Sequence, residues 1–296
     1  MAYSRLRMEL VAPGWKDYEV IDSGDGLRLE RLGEVVISRQ CAQAIWPRAL
    51  SEEAWKARCH ASHYRHDQGP GEWSRHRPTP EKWVLRLDEL RMEVRLNDFG
   101  HIGMFAEQQV QWSWLAEKLR TRPKAKVLNL FAYTGGSSLA AAVAGAQVTH
   151  LDALKGAVTW ARGNAAHSGL QDAPIRWIVD DARKFVQREL RRGNLYDAVI
   201  LDPPTFGRSP EGKVWKFERD LSALLGACEK LLVPEPLFLL LSAHTPGVSA
   251  GVLRNLLSPL HQRRGGRFES GDMLQRCAES PLLVPAGVFC RWTPTS

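Results

Sequence analysis

The sequence has few cysteines, and their arrangement fits neither a metal site nor a disulfide framework. The five cysteines are odd in number, scattered along 296 residues, and form no Cys-x-x-Cys pair. Such usage is typical of proteins from a reducing compartment and argues against a structural zinc site. We therefore expect free thiols and no bound metal.

Long apolar runs are also missing. No stretch approaches the ~20 consecutive apolar residues that a transmembrane helix requires. The first ten residues alternate apolar with charged side chains and contain no uninterrupted apolar segment of signal-peptide length. These two features predict a cytoplasmic protein with no membrane partner.

The first part of the chain lacks a surplus of either charge. Of the net charge of +7, one positive charge falls within residues 1–122, which hold 19 Lys and Arg against 18 Asp and Glu, and six fall within residues 123–296. A basic second part suits a polyanionic partner. Many soluble proteins are mildly basic, so the charge alone does not decide between the two interpretations.

The pattern of apolar residues divides the chain into two regions. Residues 1–100 read as a small, mostly β subdomain, with strands separated by turns such as Ser23-Gly-Asp-Gly26, a helix near 52–60 and a hairpin at 83–87 and 92–96. Residues 101–296 alternate strands with helices. The predicted strands lie at 126–131, 147–152, 175–179, 197–202 and 236–242, and the predicted helices at 136–145, 155–168, 182–191, 216–232 and 249–261. With a closing hairpin at 267–270 and 286–292, this order predicts an α/β fold with a doubly wound, seven-stranded, mostly parallel sheet.

A glycine turn between the first strand and helix of this second region is the first candidate ligand site. Val127–Phe131 is an apolar run of the kind that a strand buried on both faces needs. Gly135-Gly136 then lets the backbone turn tightly, and the following helix presents unpaired N–H groups. This order is how α/β proteins build a nucleotide site.

Acidic residues follow three further strands. Asp152 ends the second strand, where doubly wound sheets place an acceptor for ribose hydroxyls. Asp180 and Asp181 follow the third strand, where a carboxylate either accepts from an adenine amino group or caps the next helix; the two roles are compatible, and we assign Asp181 to the ligand. Asp202-Pro-Pro-Thr-Phe206 follows the fourth strand, and its prolines stiffen a loop in which Asp202 orients an N–H and Phe206 stacks on a flat ring.

Taken in this order and spacing, these motifs resemble class I S-adenosylmethionine (AdoMet) dependent methyltransferases with a Rossmann-like fold. Asn129-Leu-Phe-Ala-Tyr-Thr-Gly135 together with Asp202-Pro-Pro-Thr-Phe206 resembles the bacterial 23S (large-subunit) ribosomal RNA methyltransferases, and the second motif is nearer their guanine-N7 branch than their cytosine-C5 branch. The resemblance covers roughly residues 100–295. It implies AdoMet as the cofactor and RNA as the partner.

The resemblance also implies roles for individual residues. Asp202, Pro203, Pro204 and Phe206 would present the target, and the cofactor would contact Gln108, Asn129, Phe131, Tyr133, Thr134, Gly135, Asp152, Asp181 and Asp202. In the widespread class I pattern, an acid stands where this chain has Asn129, and glycines stand at two positions that here hold Phe131 and Tyr133. The cytosine-C5 branch carries a nucleophilic cysteine where this chain reads Leu241-Ser-Ala-His-Thr245.

The missing cysteine restricts the reaction. Methylation of a pyrimidine C5 needs covalent activation of the ring by a nucleophile, whereas methylation of a nitrogen does not. We therefore predict methylation of a base nitrogen of ribosomal RNA. The alternatives are a methyltransferase for a protein or small molecule, a dinucleotide-dependent oxidoreductase, and an RNA-binding protein that only retains an AdoMet pocket.

Two further features have two interpretations each. His244 is either a base beside the reaction or a hydrogen-bonded residue at a strand end. The segment 58–83 interleaves cations with aromatic residues, which suits single-stranded RNA, or its tryptophans cover the small β subdomain. The residues concerned are Arg58, Arg65, Arg75, Arg77, Tyr64, Trp73 and Trp83.

Overall fold

The computed structural model describes residues 7–65, 71–208 and 211–295. The strands are β1 (Arg7–Ala12), β2 (Tyr18–Gly24), β3 (Leu27–Leu32), β4 (Val35–Gln40), β5 (Ala61–Tyr64), β6 (Glu72–Arg75), β7 (Lys82–Leu87), β8 (Leu90–Arg95), β9 (Lys126–Leu130), β10 (Gln147–Asp152), β11 (Ile175–Val179), β12 (Ala198–Leu201), β13 (Phe206–Arg208), β14 (Val214–Lys216), β15 (Phe238–Ala243), β16 (Arg267–Arg276) and β17 (Leu283–Thr293). The α-helices are α1 (Glu52–Arg58), α2 (Gln109–Arg120), α3 (Gly136–Val143), α4 (Lys155–His167), α5 (Ala182–Arg192), α6 (Phe217–Lys230) and α7 (Ala250–Arg264). Among the described residues, none of the helices has the length and apolarity needed to cross a bilayer.

The largest sheet has the strand order β1-β16-β17-β15-β12-β9-β10-β11. Five adjacent strands run parallel to one another: β15, β12, β9, β10 and β11. Strand β17 runs antiparallel to β15. The mostly parallel sheet and its closing hairpin confirm the predicted fold class. The predicted number of seven strands is wrong, because β1 adds an eighth at the edge beside β16. The partner of β1 lies far away in the chain, so no local pattern reveals the pairing.

The central strands are buried on both faces, which explains their continuous apolar runs. Leu128, Leu130, Val199, Leu239 and Leu241 have no exposed surface and belong to one core cluster. Helices α5, α6 and α7 contribute Phe185, Leu225 and Leu257 to the same cluster. Burial of the central strands on both sides fixes the positions of their ends, and the candidate site is built on those ends.

The chain forms two compact units. One comprises Met1–Leu10, Val110–Met273 and Ala286–Ser296, and the other comprises Val11–Gln109 with Leu274–Pro285. We refer to them as the large-sheet unit and the β-rich unit. The β-rich unit thus receives a segment from late in the chain, which the predicted division into residues 1–100 and 101–296 did not include.

The β-rich unit contains a five-stranded sheet, β2-β3-β4-β5-β6, and the hairpin β7-β8. Residues 65–80 are rich in glycine, proline, arginine and histidine, a composition that predicts a loop, but Glu72–Arg75 forms β6 and pairs antiparallel with β5. Alternation over four residues among glycine and proline is too short to distinguish a strand from a loop. Residues 66–70 of this loop lie outside the described residues.

Candidate functional site

The ends of five parallel strands place the predicted site residues along one edge of the large sheet. Leu130, Leu201 and Leu241 are register partners across β9, β12 and β15. The residues that follow them, which include Phe131 and Asp202, therefore leave the sheet side by side. On the other side of β9, Leu151 is the partner of Leu130, and Asp152 is the partner of Val179. Ligands of open α/β sheets bind at this carboxyl edge.

The loop after β9 has an unusual backbone. Phe131, Tyr133 and Gly135 have φ angles of 57°, 47° and 95°, so alternate residues of the loop adopt the left-handed conformation. Glycine accepts this conformation without cost, whereas it costs other L-residues roughly 1–2 kcal/mol each. The loop therefore keeps the backbone of a glycine-rich turn although aromatic residues occupy two of its three left-handed positions. Backbone strain of this kind persists where the surroundings hold it in place, and it clusters at functional sites.

Asp152 supports this loop directly. Its Oδ2 accepts a hydrogen bond of 2.9 Å from the backbone N–H of Tyr133, and its Oδ1 accepts one of 2.9 Å from the backbone N–H of Leu154. Burial raises the pKa of Asp152 above its usual range, and the backbone N–H groups oppose that rise. The acid that the sequence assigns to a ribose thus also fixes the left-handed residue Tyr133.

A buried polar chain lies beneath the glycine turn, and it explains why Asn129 occupies a buried strand. Asn129 Nδ2 donates to Ser138 Oγ at 2.9 Å, and Ser138 Oγ lies 2.9 Å from His150 Nδ1. Burial, with a smaller contribution from Arg162, lowers the pKa of His150 to about 3, so the imidazole is neutral at physiological pH. The sequence analysis missed Ser138 and His150. A histidine within the apolar run of β10 was the available signal.

Both acids after β11 form ion pairs with neighbouring arginines. Asp181 caps α5, where its side chain accepts from the backbone N–H groups of Arg183 and Lys184, and it forms an ion pair with Arg183 at 2.8 Å. Burial alone would raise the pKa of Asp181, but the hydrogen bonds from Arg183 and Lys184 bring it below its usual range. Asp180 pairs with Arg188 at 2.6 Å. The capping role of Asp181 is confirmed, and its adenine role stays a prediction.

The loop after β12 is held by hydrogen bonds on both sides. Trp215 Nε1 donates to the carbonyl of Pro204 at 2.7 Å, and Thr205 Oγ1 donates to Thr245 Oγ1 at 2.9 Å. Pro203 is buried and Pro204 is exposed. Phe206 exposes 52% of its surface, and the guanidinium of Arg208 lies 5.9 Å from the centre of its ring. An exposed aromatic face beside a cation is suited to stacking with a planar group.

Trp215 connects the two loops. It lies on β14, which forms a short hairpin with β13. Its ring centre is 4.8 Å from that of Phe131, its N–H binds Pro204, and the guanidinium of Arg183 lies 5.9 Å from its ring centre. One indole therefore contacts residues at the ends of β9 and β12 and at the start of α5. The sequence analysis did not identify Trp215, because no spacing rule places it beside residues that lie far away in the chain.

His244 lies beside Asp202. Its Nε2 is 3.5 Å from Asp202 Oδ1, and its Nδ1 is 2.7 Å from the carbonyl oxygen of Ala286. The side chains of His244 and Asp202 expose 30% and 28% of their surfaces. Sequence reasoning left two roles open for His244, and this geometry is compatible with both.

The cysteines are free thiols, and two of them lie in the large-sheet unit near these strands. Cys290 is the register partner of Leu241, yet it is fully buried, and burial raises its pKa to about 12. Cys228 lies on α6, where complete burial raises its pKa as well. Thiols in apolar surroundings are inert, so neither is suited to act as a nucleophile.

The remaining predicted residues lie in the β-rich unit. Gln108 ends a short 3-10 turn and is buried, and its assignment to the cofactor stays a prediction. The indole N–H groups of Trp73 and Trp83 bind the carbonyls of Asn97 and Leu32. This contact supports the covering role for these two tryptophans, while Arg75 and Arg77 remain exposed.

Comparison with known proteins gives a consistent result. A family model described as S-adenosylmethionine-dependent methyltransferase matches residues 39–256. The crystal structure of a SAM-dependent methyltransferase from Agrobacterium tumefaciens has 39% sequence identity and a TM-score of 0.92, and the match covers 98% of this chain and 95% of that one. A protein of known structure from Streptococcus mutans, with 17% identity and a TM-score of 0.72 over 94% of this chain and 75% of its own, shows the same fold.

One curated relative is named for its substrate. Ribosomal RNA large subunit methyltransferase K/L of Shewanella frigidimarina is 33% identical over 162 residues, which are 50% of this chain and 22% of that protein. The chain therefore matches about a fifth of the length of this relative. The family model covers most of the chain, including the left-handed loop, the strand-end acids and Asp202-Pro-Pro-Thr-Phe206. The chain therefore belongs to the S-adenosylmethionine-dependent methyltransferases.

Proposed function

We propose that this methyltransferase transfers the methyl group of AdoMet to a nitrogen atom of a base in ribosomal RNA. The observation that carries the proposal is the loop Asp202–Phe206, which combines a carboxylate, a proline-stiffened backbone and an exposed aromatic ring at the carboxyl edge of the sheet. The name of the Shewanella relative supports RNA as the substrate class. We also propose a cytoplasmic location, since free thiols suit a reducing compartment.

The residues at the carboxyl edge fit AdoMet. A Cβ added to Gly135 would lie 3.1 Å from Ala161 Cβ, so the turn packs tightly against α4. Asp152 offers a carboxylate at the end of β10. Leu154 and Val179 expose 58% and 42% of their surfaces near the ends of β10 and β11, although they are apolar. Such exposed apolar side chains are suited to cover the faces of a flat base, and sequence reasoning missed them.

We assign the cofactor contacts accordingly. Phe131, Tyr133, Thr134 and Gly135 hold the methionine end, Asp152 the ribose, and Asp181 the adenine edge. Asn129 acts through Ser138, because its amide is buried and donates to that hydroxyl. When it is bound, AdoMet supplies an activated methyl group on a sulfonium, so correct placement of the target supplies much of the acceleration, up to roughly 7–11 kcal/mol by proximity arguments.

The chain's own residues place the target. Asp202 accepts a hydrogen bond from the base, Phe206 stacks on its ring, and the Pro203–Pro204 backbone keeps the two aligned. A covalent route through cysteine is disfavoured, because Cys290 and Cys228 are buried with raised pKa values. Direct transfer to nitrogen needs no such nucleophile.

The test is nucleoside mass spectrometry of ribosomal RNA from cells with and without the gene, followed by incubation of the deficient RNA with purified enzyme and AdoMet. We expect one N-methylated nucleoside to disappear and then to return. A 5-methylcytosine or 5-methyluridine product would contradict nitrogen transfer. Methyl incorporation into an RNA-free extract, with none into RNA, would instead favour a protein or small-molecule substrate.

A further inference from the structure

His244 and Asp202 form a pair with a fixed orientation. Holding an RNA base in place does not require this orientation. The carbonyl oxygen of Ala286 lies 2.7 Å from His244 Nδ1 and has only lone pairs to offer, so Nδ1 carries the hydrogen and donates it. In the neutral imidazole, Nε2 is then the nitrogen that carries no hydrogen. Nε2 is the atom that faces Asp202 Oδ1 at 3.5 Å.

Two acceptors therefore face each other at the carboxyl edge. A separation of 3.5 Å exceeds the ordinary length of a direct hydrogen bond, about 2.7–3.2 Å for N–H···O. Proton uptake by Nε2 converts this arrangement into an imidazolium beside a carboxylate, which is electrostatically favourable. The pair is thus built to accept one proton, and about a third of the His244 side chain is exposed to receive it.

The backbone beside His244 holds the ring in this place. A Cβ added to Gly287, the residue after Ala286, would lie 2.8 Å from both Nδ1 and Cε1 of His244. Glycine at this position lets β17 approach the imidazole closely enough for the carbonyl of Ala286 to accept its hydrogen bond. The tautomer of His244 is therefore set by the packing of β17 against the end of β15.

We propose that His244 is a catalytic base, and that the target nitrogen is one that carries a hydrogen, either an exocyclic amine or an imino nitrogen of the ring. This inference rests on the proposed transfer to a base nitrogen and names the class of nitrogen. A ring nitrogen without hydrogen, such as guanine N7, has no proton to give and needs no such pair.

The step balances as follows. The lone pair of the target nitrogen forms the bond to the methyl carbon while the methyl–sulfur bond breaks, and the electron pair of that bond stays on sulfur. As the bond to the methyl carbon forms, the N–H bond of the target breaks, its electrons stay on nitrogen, and the proton goes to His244 Nε2. Asp202 stabilises the resulting imidazolium, which releases its proton to water before the next turnover.

The test compares three variants with the wild-type enzyme. His244→Asn keeps an N–H that can donate to Ala286 but removes the base. Gly287→Ala keeps the imidazole but crowds it away from its position. His167→Asn makes the same substitution at an exposed histidine at the end of α4 and serves as the control. Melting temperature and AdoMet affinity by calorimetry show that each variant is folded and binds the cofactor.

We expect kcat of His244→Asn to fall by about 10²- to 10⁴-fold, the usual contribution of general acid–base catalysis, with unchanged AdoMet affinity. Gly287→Ala should lower kcat in the same direction, and His167→Asn should not. The wild-type rate should fall on the acid side of the pH profile, where the imidazole is protonated. The rate of His244→Asn should not show this decrease at low pH.

Two results would overturn the inference: a His244→Asn enzyme with the wild-type kcat and pH profile, or a 7-methylguanosine product. Failure of the proposed function looks different, because the wild-type enzyme would then place no methyl group in RNA. In that case the same variants are assayed on the acceptor that is methylated. An unchanged kcat of His244→Asn on that acceptor would overturn the role of His244 as a catalytic base.

Discussion

The loops after β9 and β12 leave neighbouring strands at the same edge of the sheet, but they keep their shapes by different means. The first uses three left-handed residues, two of them aromatic, and needs Asp152 and packing beneath it to hold that backbone. The second uses two prolines, whose φ angles are fixed by their rings. A strained loop depends on its neighbours, whereas a stiff loop carries its shape in its own covalent structure. The loop after β9, which we propose holds the cofactor and call the cofactor loop, should therefore be the more sensitive to distant substitutions.

The largest effect is expected from a substitution in the loop after β12, and it should fall mainly on the chemical step. Asp202→Asn removes the charge that stabilises the imidazolium, and we expect kcat to fall by about 10²- to 10⁴-fold. AdoMet affinity should fall much less than kcat, because the loop after β9, which holds most of the predicted cofactor contacts, is untouched. Single-turnover methylation and calorimetry measure the two quantities separately. A large loss of AdoMet affinity with little change in kcat would reverse the assignment of the two loops.

Trp215 tests the contact between the loops. Replacing this buried indole by alanine should lower the free energy of unfolding by about 3–5 kcal/mol, measured by urea titration. Trp215→Phe keeps an aromatic ring beside Phe131 but leaves the Pro204 carbonyl without its donor, at a cost of about 1–3 kcal/mol.

Trp160→Phe is the matched control for Trp215→Phe, because the Trp160 ring lies 6.2 Å from that of Tyr133 on the cofactor side. We expect Trp215→Phe to weaken both AdoMet binding and kcat, and Trp160→Phe to affect only AdoMet binding. Equal effects of both variants on kcat would show that Trp215 does not join the loops.

Substitutions at two glycines distinguish the effect of backbone strain on stability from the loss of a cofactor contact. Gly135 and Gly145 have φ angles of 95° and 87°, but only at Gly135 would an added Cβ meet another atom within 4 Å. Alanine at either position should cost roughly 1–2 kcal/mol of stability for the left-handed conformation. Only Gly135→Ala should also weaken AdoMet binding. Equal AdoMet affinity of the two variants would contradict a cofactor contact at Gly135.

The smallest effect at neutral pH concerns His150. Its pKa is lowered to about 3 in the folded protein, so between pH 6.5 and 3 the unfolded chain binds the additional proton, and stability falls as the pH falls through this window. His150→Phe, which fills a similar space without titrating, should lose part of this slope. Unfolding titrations at several pH values measure it, and identical slopes for the two proteins would show that His150 titrates alike in the folded and unfolded states.

The sequence predicted the loop after β12 better than the loop after β9, because the first is shaped by its own prolines and the second by residues distant in the chain. Asp202-Pro-Pro-Thr-Phe206 was recognised directly, since prolines after a buried strand determine the backbone from the residues alone. The strand ends and most helices were also predicted to within a few residues, because apolar periodicity is local. The left-handed angles of Phe131 and Tyr133, the strand β1 and the contacts of Trp215 depend on residues distant in the chain, and no local pattern encodes them.

The position of Trp215 has a thermodynamic consequence. Because one indole packs against Phe131 in the loop after β9 and donates to Pro204 in the loop after β12, we expect ordering of either loop by its proposed ligand to lower the cost of ordering the other. Binding of the two ligands is then coupled, and the coupling is reciprocal: each should raise the affinity for the other by the same factor. Such coupling would favour the ternary complex over either binary one.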